Sequence, residues 1–128
     1  MPLKKANIPF DLWVGNHVTI VRGFSAKDVA GVVSPIDLLM FTIYFTVFNG
    51  DVKLIEKSTV AGSVAVQGTG NYQISVTLTP AETRAIAAAI YDEGVGPTHE
   101  IEFRSGGQEE TWVYGKIKLK GGDNVDAA

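Results

Sequence analysis

Strict alternation of apolar and polar residues in short runs constrains this chain most. Between Asn71 and Thr79, the apolar residues Tyr72, Ile74, Val76 and Leu78 alternate with polar ones. A β-strand places successive side chains on opposite faces, so this pattern predicts a strand with one buried and one solvated face. Strands of this kind are typical of antiparallel sheets.

The longest predicted strand runs from Leu38 to Phe48. Its odd positions form an unbroken apolar face of Leu39, Phe41, Ile43, Phe45 and Val47. The sequence Asn49-Gly50-Asp51 that follows favours a tight turn, because Asn and Gly tolerate a positive φ. We therefore predict a hairpin whose return strand covers residues 52–57.

Further alternating runs predict strands at 17–23, 64–66, 98–104 and 109–120, and an extended lead-in at 10–14. We expect residues 24–37 to form a loop with one short strand at Val29–Val33. One helix interrupts this pattern: Thr79 and Glu82 form a capping box around Pro80, and Ile86 and Ile90 share one helical face. The sequence thus predicts a mainly β fold, an antiparallel immunoglobulin-like β-sandwich of about seven strands with one short helix.

The domain is predicted to span residues 10–120, between an N-terminal extension (1–9) and a flexible C-terminal tail (121–128). The chain has 128 residues, no cysteine, two histidines and a net charge of −3. The lack of cysteine excludes disulfides and thiolate metal sites, and the acidic balance argues against binding to nucleic acid. No apolar run is long enough to cross a membrane, and Asn7 and Pro9 interrupt any signal-peptide core.

No pattern of residues points to catalysis. His99 lies on the apolar phase of its strand and is predicted to be a packed, hydrogen-bonded histidine, whereas His17 lies on a polar phase. Glu109 and Glu110 are adjacent and point to opposite faces, which separates the two carboxylates. We predict no catalytic, cofactor-binding or metal-binding residue, so the chain is not expected to be an enzyme.

Two groups of large side chains are predicted to mediate interactions. In the last strand, Val113 and Ile117 lie on one face, and Trp112 and Tyr114 lie on the other. We expect Trp112 and Tyr114 to point outward. Met40, Tyr44 and Phe48 fall on the even face of the long strand, where a solvated sheet would carry polar residues. Aromatic and Met side chains are enriched in protein interfaces. Another chain, the short helix or the 24–35 loop could cover the Met40–Phe48 face.

Three stretches carry a family resemblance. They are Val-Ser-Pro-Ile-Asp-Leu at 33–38, Leu-Thr-Pro-Ala-Glu-Thr-Arg-Ala-Ile at 78–86, and the hairpin at 100–119 that ends in Gly-Lys-Ile-Lys-Leu. In this order they resemble small immunoglobulin-like structural proteins of tailed bacteriophages and prophages, including the N-terminal domain of baseplate upper proteins. Leu39-Met40 stands where that family typically has Thr-Gly.

The resemblance implies a non-enzymatic virion component that docks on other phage virion proteins, as a tail or baseplate adaptor or as a capsid decoration protein. Such a protein is assembled in the bacterial cytoplasm and is expected to act as a homo-oligomer or in many copies. The alternative is a carbohydrate- or receptor-binding β-sandwich module, in which Trp112 and Tyr114 would stack on a sugar.

Overall fold

The computed structural model describes residues 6–27, 29–88, 97–106 and 108–120. This part of the chain is mainly β, with one α-helix and one short 3₁₀ helix, so the predicted fold class is confirmed at that level. The strands are β1 (Ala6–Asn7), β2 (Phe10–Trp13), β3 (Val18–Gly23), β4 (Ser25–Lys27), β5 (Val33–Pro35), β6 (Thr42–Asn49), β7 (Val52–Ser58), β8 (Val64–Gln67), β9 (Gln73–Leu78), β10 (Pro97–Ser105) and β11 (Gln108–Lys120). The 3₁₀ helix is Leu38–Met40 and the α-helix, α1, is Pro80–Ala88.

The strands form two larger sheets and a separate hairpin. The six-stranded sheet has the order β1-β11-β10-β6-β7, with β2 also paired to β11. The three-stranded sheet has the order β3-β9-β8, and β4 pairs with β5 alone. All pairs are antiparallel except those of β1 and β2, which run parallel to β11.

Both larger sheets contribute to one hydrophobic core. Alternate residues of the central strands are fully buried, among them Ile43, Phe45 and Val47 on β6 and Ile74, Val76 and Leu78 on β9. The alternation in the sequence predicted these buried faces correctly. Ile86 on α1 is also fully buried, whereas Ile90, its predicted partner, lies outside the described residues.

Two local predictions are confirmed in atomic detail. The β6–β7 hairpin turns at Asn49-Gly50-Asp51, where Gly50 has a φ of 61°. At the start of α1, the Thr79 backbone N–H donates to Glu82 Oε1 (2.9 Å), and the Glu82 N–H donates to Thr79 Oγ1 (3.2 Å). These reciprocal bonds are the predicted capping box.

The predicted strand Leu38–Phe48 is wrong at its beginning. The side chain of Asp37 accepts a hydrogen bond from the Leu39 N–H and caps the 3₁₀ helix, so the strand starts only at Thr42. Leu39, predicted to face the core, is therefore 65% exposed. The predicted strand at Val29–Val33 is also wrong, because the loop forms the β4–β5 hairpin and Val29 lies between its strands.

The N-terminal segment follows the edge of β11 in two steps. Ala6 and Asn7 pair with Val113 and Tyr114, and the segment from Phe10 pairs with β11 from Ile117 onward. Between them the chain passes over Gly115, where a Cβ atom would lie 2.7 Å from the carbonyl carbon and oxygen of Ile8. Strand β1 thus falls within the predicted N-terminal extension, and the predicted tail at 121–128 lies outside the described residues.

Candidate interaction surface

Exposed apolar side chains concentrate in the loop between β3 and β6. Of the ten large apolar residues that are exposed in the described part of the chain, five lie within residues 29–40. We call these five residues the apolar loop patch: Val29, Val32, Val33, Leu39 and Met40. These five residues share one short segment of the chain, and a contiguous exposed apolar surface is typical of an interaction site.

Backbone hydrogen bonds and a buried side chain hold the loop that carries this patch against the rest of the fold. The Phe24 N–H donates to the Tyr72 carbonyl (2.9 Å), and the Leu38 N–H donates to the Asn71 carbonyl (2.8 Å). The Ile36 N–H donates to the Phe24 carbonyl (3.1 Å), and the Leu38 side chain is fully buried. The patch is therefore presented on an anchored loop, which lowers the entropic cost of binding.

Met40 is the one predicted interaction residue in this patch. It is 67% exposed and lies in the 3₁₀ helix, not on the even face of a strand. The other members were missed, because Val29, Val33 and Leu39 continue the apolar alternation expected of strands. The Asp37 cap was the only local signal of the 3₁₀ helix, since Asp hydrogen-bonds readily to nearby backbone N–H groups.

Tyr44, Phe48 and Tyr114 share the outward face of the six-stranded sheet. Their strand partners there are mostly polar: Glu102 lies opposite Tyr44, Thr98 opposite Phe48, and Glu100 opposite Tyr114. Tyr44 and Phe48 are half-buried and Tyr114 is 41% exposed. The aromatic residues on this face are thus separated by polar neighbours.

Tyr44 is also occupied by a neighbour in its own chain. The Arg104 guanidinium lies 4.1 Å from the centre of the Tyr44 ring, which is a cation–π distance. Arg104 also pairs with Glu102 (2.6 Å) and Glu109 (3.3 Å), and the hydrogen bond to Glu102 contributes most to raising the pKa of Arg104. This end of the sheet face is a network of charges and one aromatic ring.

Trp112 does not point outward, which corrects our prediction for this residue. Ile101 lies opposite Val113 but Glu102 lies opposite Thr111, so Trp112 is the extra residue of a β-bulge. A bulge shifts the phase of the strand. Trp112 and Val113 are consequently both buried, at 7% and 2% exposure, and the alternation resumes with Tyr114 outward.

An open hollow of about 300 Å³ lies beside Tyr114. Its polar lining includes Asn7, Thr98, Glu100 and Lys116, together with the Tyr114 ring. These groups offer both hydrogen-bond donors and hydrogen-bond acceptors around one aromatic side chain. Most of the surface that lines the hollow is apolar, so a ligand with an apolar face and a few polar groups fits it.

His99 is a core residue, as predicted. Its side chain is fully buried, its Nδ1 lies 3.0 Å from the Gly115 carbonyl, and its ring meets Phe10 edge-on at 4.8 Å. Its Nε2 has no hydrogen-bond partner in the described part of the chain. Desolvation by burial lowers the pKa of His99 to about 4, which keeps the imidazole neutral at physiological pH.

Glu82 also has a shifted pKa, and its role is structural. Burial alone would raise the pKa of Glu82, but hydrogen bonds from the Thr79 N–H and from Lys57 outweigh it and lower this pKa. Glu82 thus joins α1 to β7 through Lys57 (2.9 Å) while it caps the helix. Within residues 6–27, 29–88, 97–106 and 108–120, no group of three His, Asp or Glu side chains is placed to hold a metal ion.

Comparison with known proteins adds no assignment. No protein-family model matches the chain, and no curated protein matches its sequence. No helix in the described residues is long and apolar enough to span a membrane.

Proposed function

We propose that this protein is a non-enzymatic structural component of a bacteriophage virion, which docks on other virion proteins through the apolar loop patch. The observation that carries the docking role is the concentration of exposed apolar side chains in residues 29–40. A solvent-facing loop of a chain with no partner normally carries polar residues, and large exposed apolar patches mark interaction sites.

The family resemblance supports the assignment to a virion. Its first motif, at 33–38, covers β5 and leads into the 3₁₀ helix, so it lies within the loop that carries the patch. The second covers the capped start of α1, and the third covers the β10–β11 hairpin. The departure from the family pattern, Leu39-Met40, adds two exposed apolar residues to the patch.

We further propose that the fold is an immunoglobulin-like sandwich. In that fold the strands B, E and D form one sheet, and C, F and G form the other, which can be extended by C′. The orders β3-β9-β8 and β11-β10-β6-β7 follow this arrangement if α1 lies in the E–F connection. The apolar loop patch would then belong to the B–C loop, which immunoglobulin variable domains use for recognition.

The virion assignment is tested by locating the protein in particles. Particles from the phage or prophage that encodes this chain would be purified, and the protein would be detected with a gold-labelled antibody in electron micrographs. Label on the tail end supports an adaptor, and label on the head supports a decoration protein. Particles that lack the protein at every site contradict the proposal.

A sugar-binding module is the second candidate, and the hollow beside Tyr114 is the observation that favours it. Trp112 takes no part in this alternative, because its ring is buried. A glycan array would decide: saturable sugar binding that is lost in Tyr114→Ala but kept in Lys118→Ala supports the module, since Lys118 is exposed on the same strand. Absence of binding removes this alternative.

A further inference from the structure

The sheet edges differ in how they are protected against pairing with another chain. The β1–β2 edge is interrupted at Pro9, and β8 has only four residues. Strand β7 has an irregular register near Phe48 and carries the Lys53–Glu56 ion pair. Proline, short strands, bulges and charges are the usual devices that block edge pairing.

Strand β3 has no proline and no bulge, and the inward-pointing Arg22 is the one device of this kind that it carries. Its six residues pair with β9 in one unbroken register, from Val18 opposite Leu78 to Gly23 opposite Gln73. No strand in the described part of the chain pairs with its other side. The one charged residue of β3, Arg22, lies on the phase that faces the core, and its Nη1 donates to the Val21 carbonyl (2.9 Å). The edge is therefore of ordinary length and regular register, its outward-facing side chains are uncharged, and the Arg22 guanidinium covers one of its carbonyl groups.

The outward face next to this edge is also free of charge. Its side chains are small or neutral: Thr19 and Val21 on β3, Ser75 and Thr77 on β9, and Ala65 and Gln67 on β8. The six-stranded sheet carries Glu100, Glu102, Arg104 and Lys116 on its own outward face. Two copies of a chain with net charge −3 repel each other where acidic groups meet, but this face brings no like charges together.

We infer that β3 pairs antiparallel with β3 of a second copy, about a two-fold axis at Val21, so that two three-stranded sheets join into one. An antiparallel edge is self-complementary under a two-fold rotation, because each copy offers the same row of N–H and carbonyl groups. The axis brings the Val21 side chains of both copies together, which covers a residue that is 41% exposed in the single chain. In the pair, a backbone N–H of the partner replaces Arg22 at the Val21 carbonyl. This pairing does not depend on what binds the apolar loop patch.

The test uses the absence of cysteine from the chain. Paired strands hold opposite Cα atoms about 4.5–5.5 Å apart, a distance that a disulfide can span. Under mild oxidation we expect Val21→Cys to form a covalent dimer more than about tenfold faster than two controls, because pairing raises the local thiol concentration. The controls are Thr77→Cys, on the same face but the central strand, and Val52→Cys, on the β7 edge.

Sedimentation equilibrium provides the second measurement. The wild-type chain should reach twice its monomer mass with rising concentration, and Val21→Lys should remain monomeric with an unchanged melting temperature. A wild-type chain that stays monomeric, or equal cross-linking rates in all three cysteine variants, overturns the proposal. Rapid cross-linking of Thr77→Cys alone also overturns it, since that result indicates packing face to face. Dimerisation is measured without particles, so its failure is distinct from failure of the virion assignment.

Discussion

The rings of Phe103 and Trp112 stack with their centres 3.9 Å apart and their planes inclined by 17°. Phe103 belongs to the regular part of β10, and Trp112 is the bulged residue of β11. Phe24 and Phe41 complete the group, with rings at 5.8 and 5.2 Å from Trp112. The bulge thus adds an aromatic ring to the core. This ring packs beside Phe24 and Phe41, the residues at the two ends of the loop that carries the apolar loop patch.

Trp112→Ala should lower the free energy of unfolding by about 3–5 kcal/mol, the usual loss when a large buried aromatic side chain is deleted. Tyr114→Ala, two residues further along the strand, should change it by less than about 1 kcal/mol, because exposed positions contribute little. Urea unfolding measures both free energies. It should be followed by far-ultraviolet circular dichroism, because tryptophan fluorescence is altered in Trp112→Ala. Equal losses in the two variants would contradict the bulged register.

Phe45→Ala should cost about 3–5 kcal/mol, because Phe45 is fully buried in the middle of β6. Phe41→Ala should cost clearly less, because Phe41 precedes the strand and is only half-buried. The comparison of their urea midpoints measures the difference. A larger loss for Phe41 than for Phe45 would contradict the burial of these two side chains in the structure.

Stability should fall on acidification because of His99. The pKa of its imidazole is near 6.5 in the unfolded chain and about 4 in the fold, so the unfolded state binds the proton first. The stability that depends on a neutral His99 is fully present above about pH 6.5. It is lost progressively as the pH falls to about 4, and the free energy of unfolding decreases by roughly 3 kcal/mol at most. Unfolding free energies measured across this range should show the slope.

A matched pair of variants isolates this effect. His99→Phe removes the titrating ring and should flatten the slope between pH 6.5 and 4. Val60→Ser changes an exposed side chain that carries no ionisable group and should leave the slope unchanged. A slope that persists in His99→Phe would show that carboxylates are its source.

Gly115→Ala should detach β1 from β11. The added methyl group meets the Ile8 carbonyl group at 2.7 Å, and backbone cannot move aside as a flexible side chain can. We expect a loss of about 1–3 kcal/mol, typical of overpacking, with faster hydrogen exchange at the Ile8 amide, which donates to the Tyr114 carbonyl (2.8 Å). Lys116→Ala, exposed on the next position, is the control. Unchanged exchange at Ile8 in Gly115→Ala would contradict the close approach.

The sequence predicted the elements whose local pattern agrees with their final environment. Ile74, Val76 and Leu78 alternate and are buried together, and Thr79 and Glu82 form the cap that their spacing indicates. The predicted outward direction of Trp112 was wrong because the bulge depends on how β11 pairs with β10. The alternation within the sequence of β11 does not show that a bulge is present. Alternation gives the face of a residue only while the register is unbroken.

The candidate surface was harder to predict than the core. Leu39 extends an apolar face in the sequence, yet the Asp37 cap turns it outward. Val29 and Val33 resemble a buried strand, but β4 and β5 pair only with each other and join neither larger sheet. Apolar residues in a loop have the same local pattern as apolar residues in a strand, so only the tertiary arrangement separates them.

The docking role is tested most directly by incorporation of a patch variant into particles. The double substitution Leu39→Ser and Met40→Ser removes two exposed apolar side chains without touching the core, so its melting temperature should match that of the wild type. Val60→Ser is the control, because Val60 is 75% exposed but lies outside the patch. Quantitative mass spectrometry of purified particles would measure the copies of each variant per particle. We predict that incorporation of the double variant falls at least about tenfold, equivalent to a loss of about 1.4 kcal/mol in binding, while Val60→Ser is incorporated normally. Normal incorporation of the folded double variant would contradict the account.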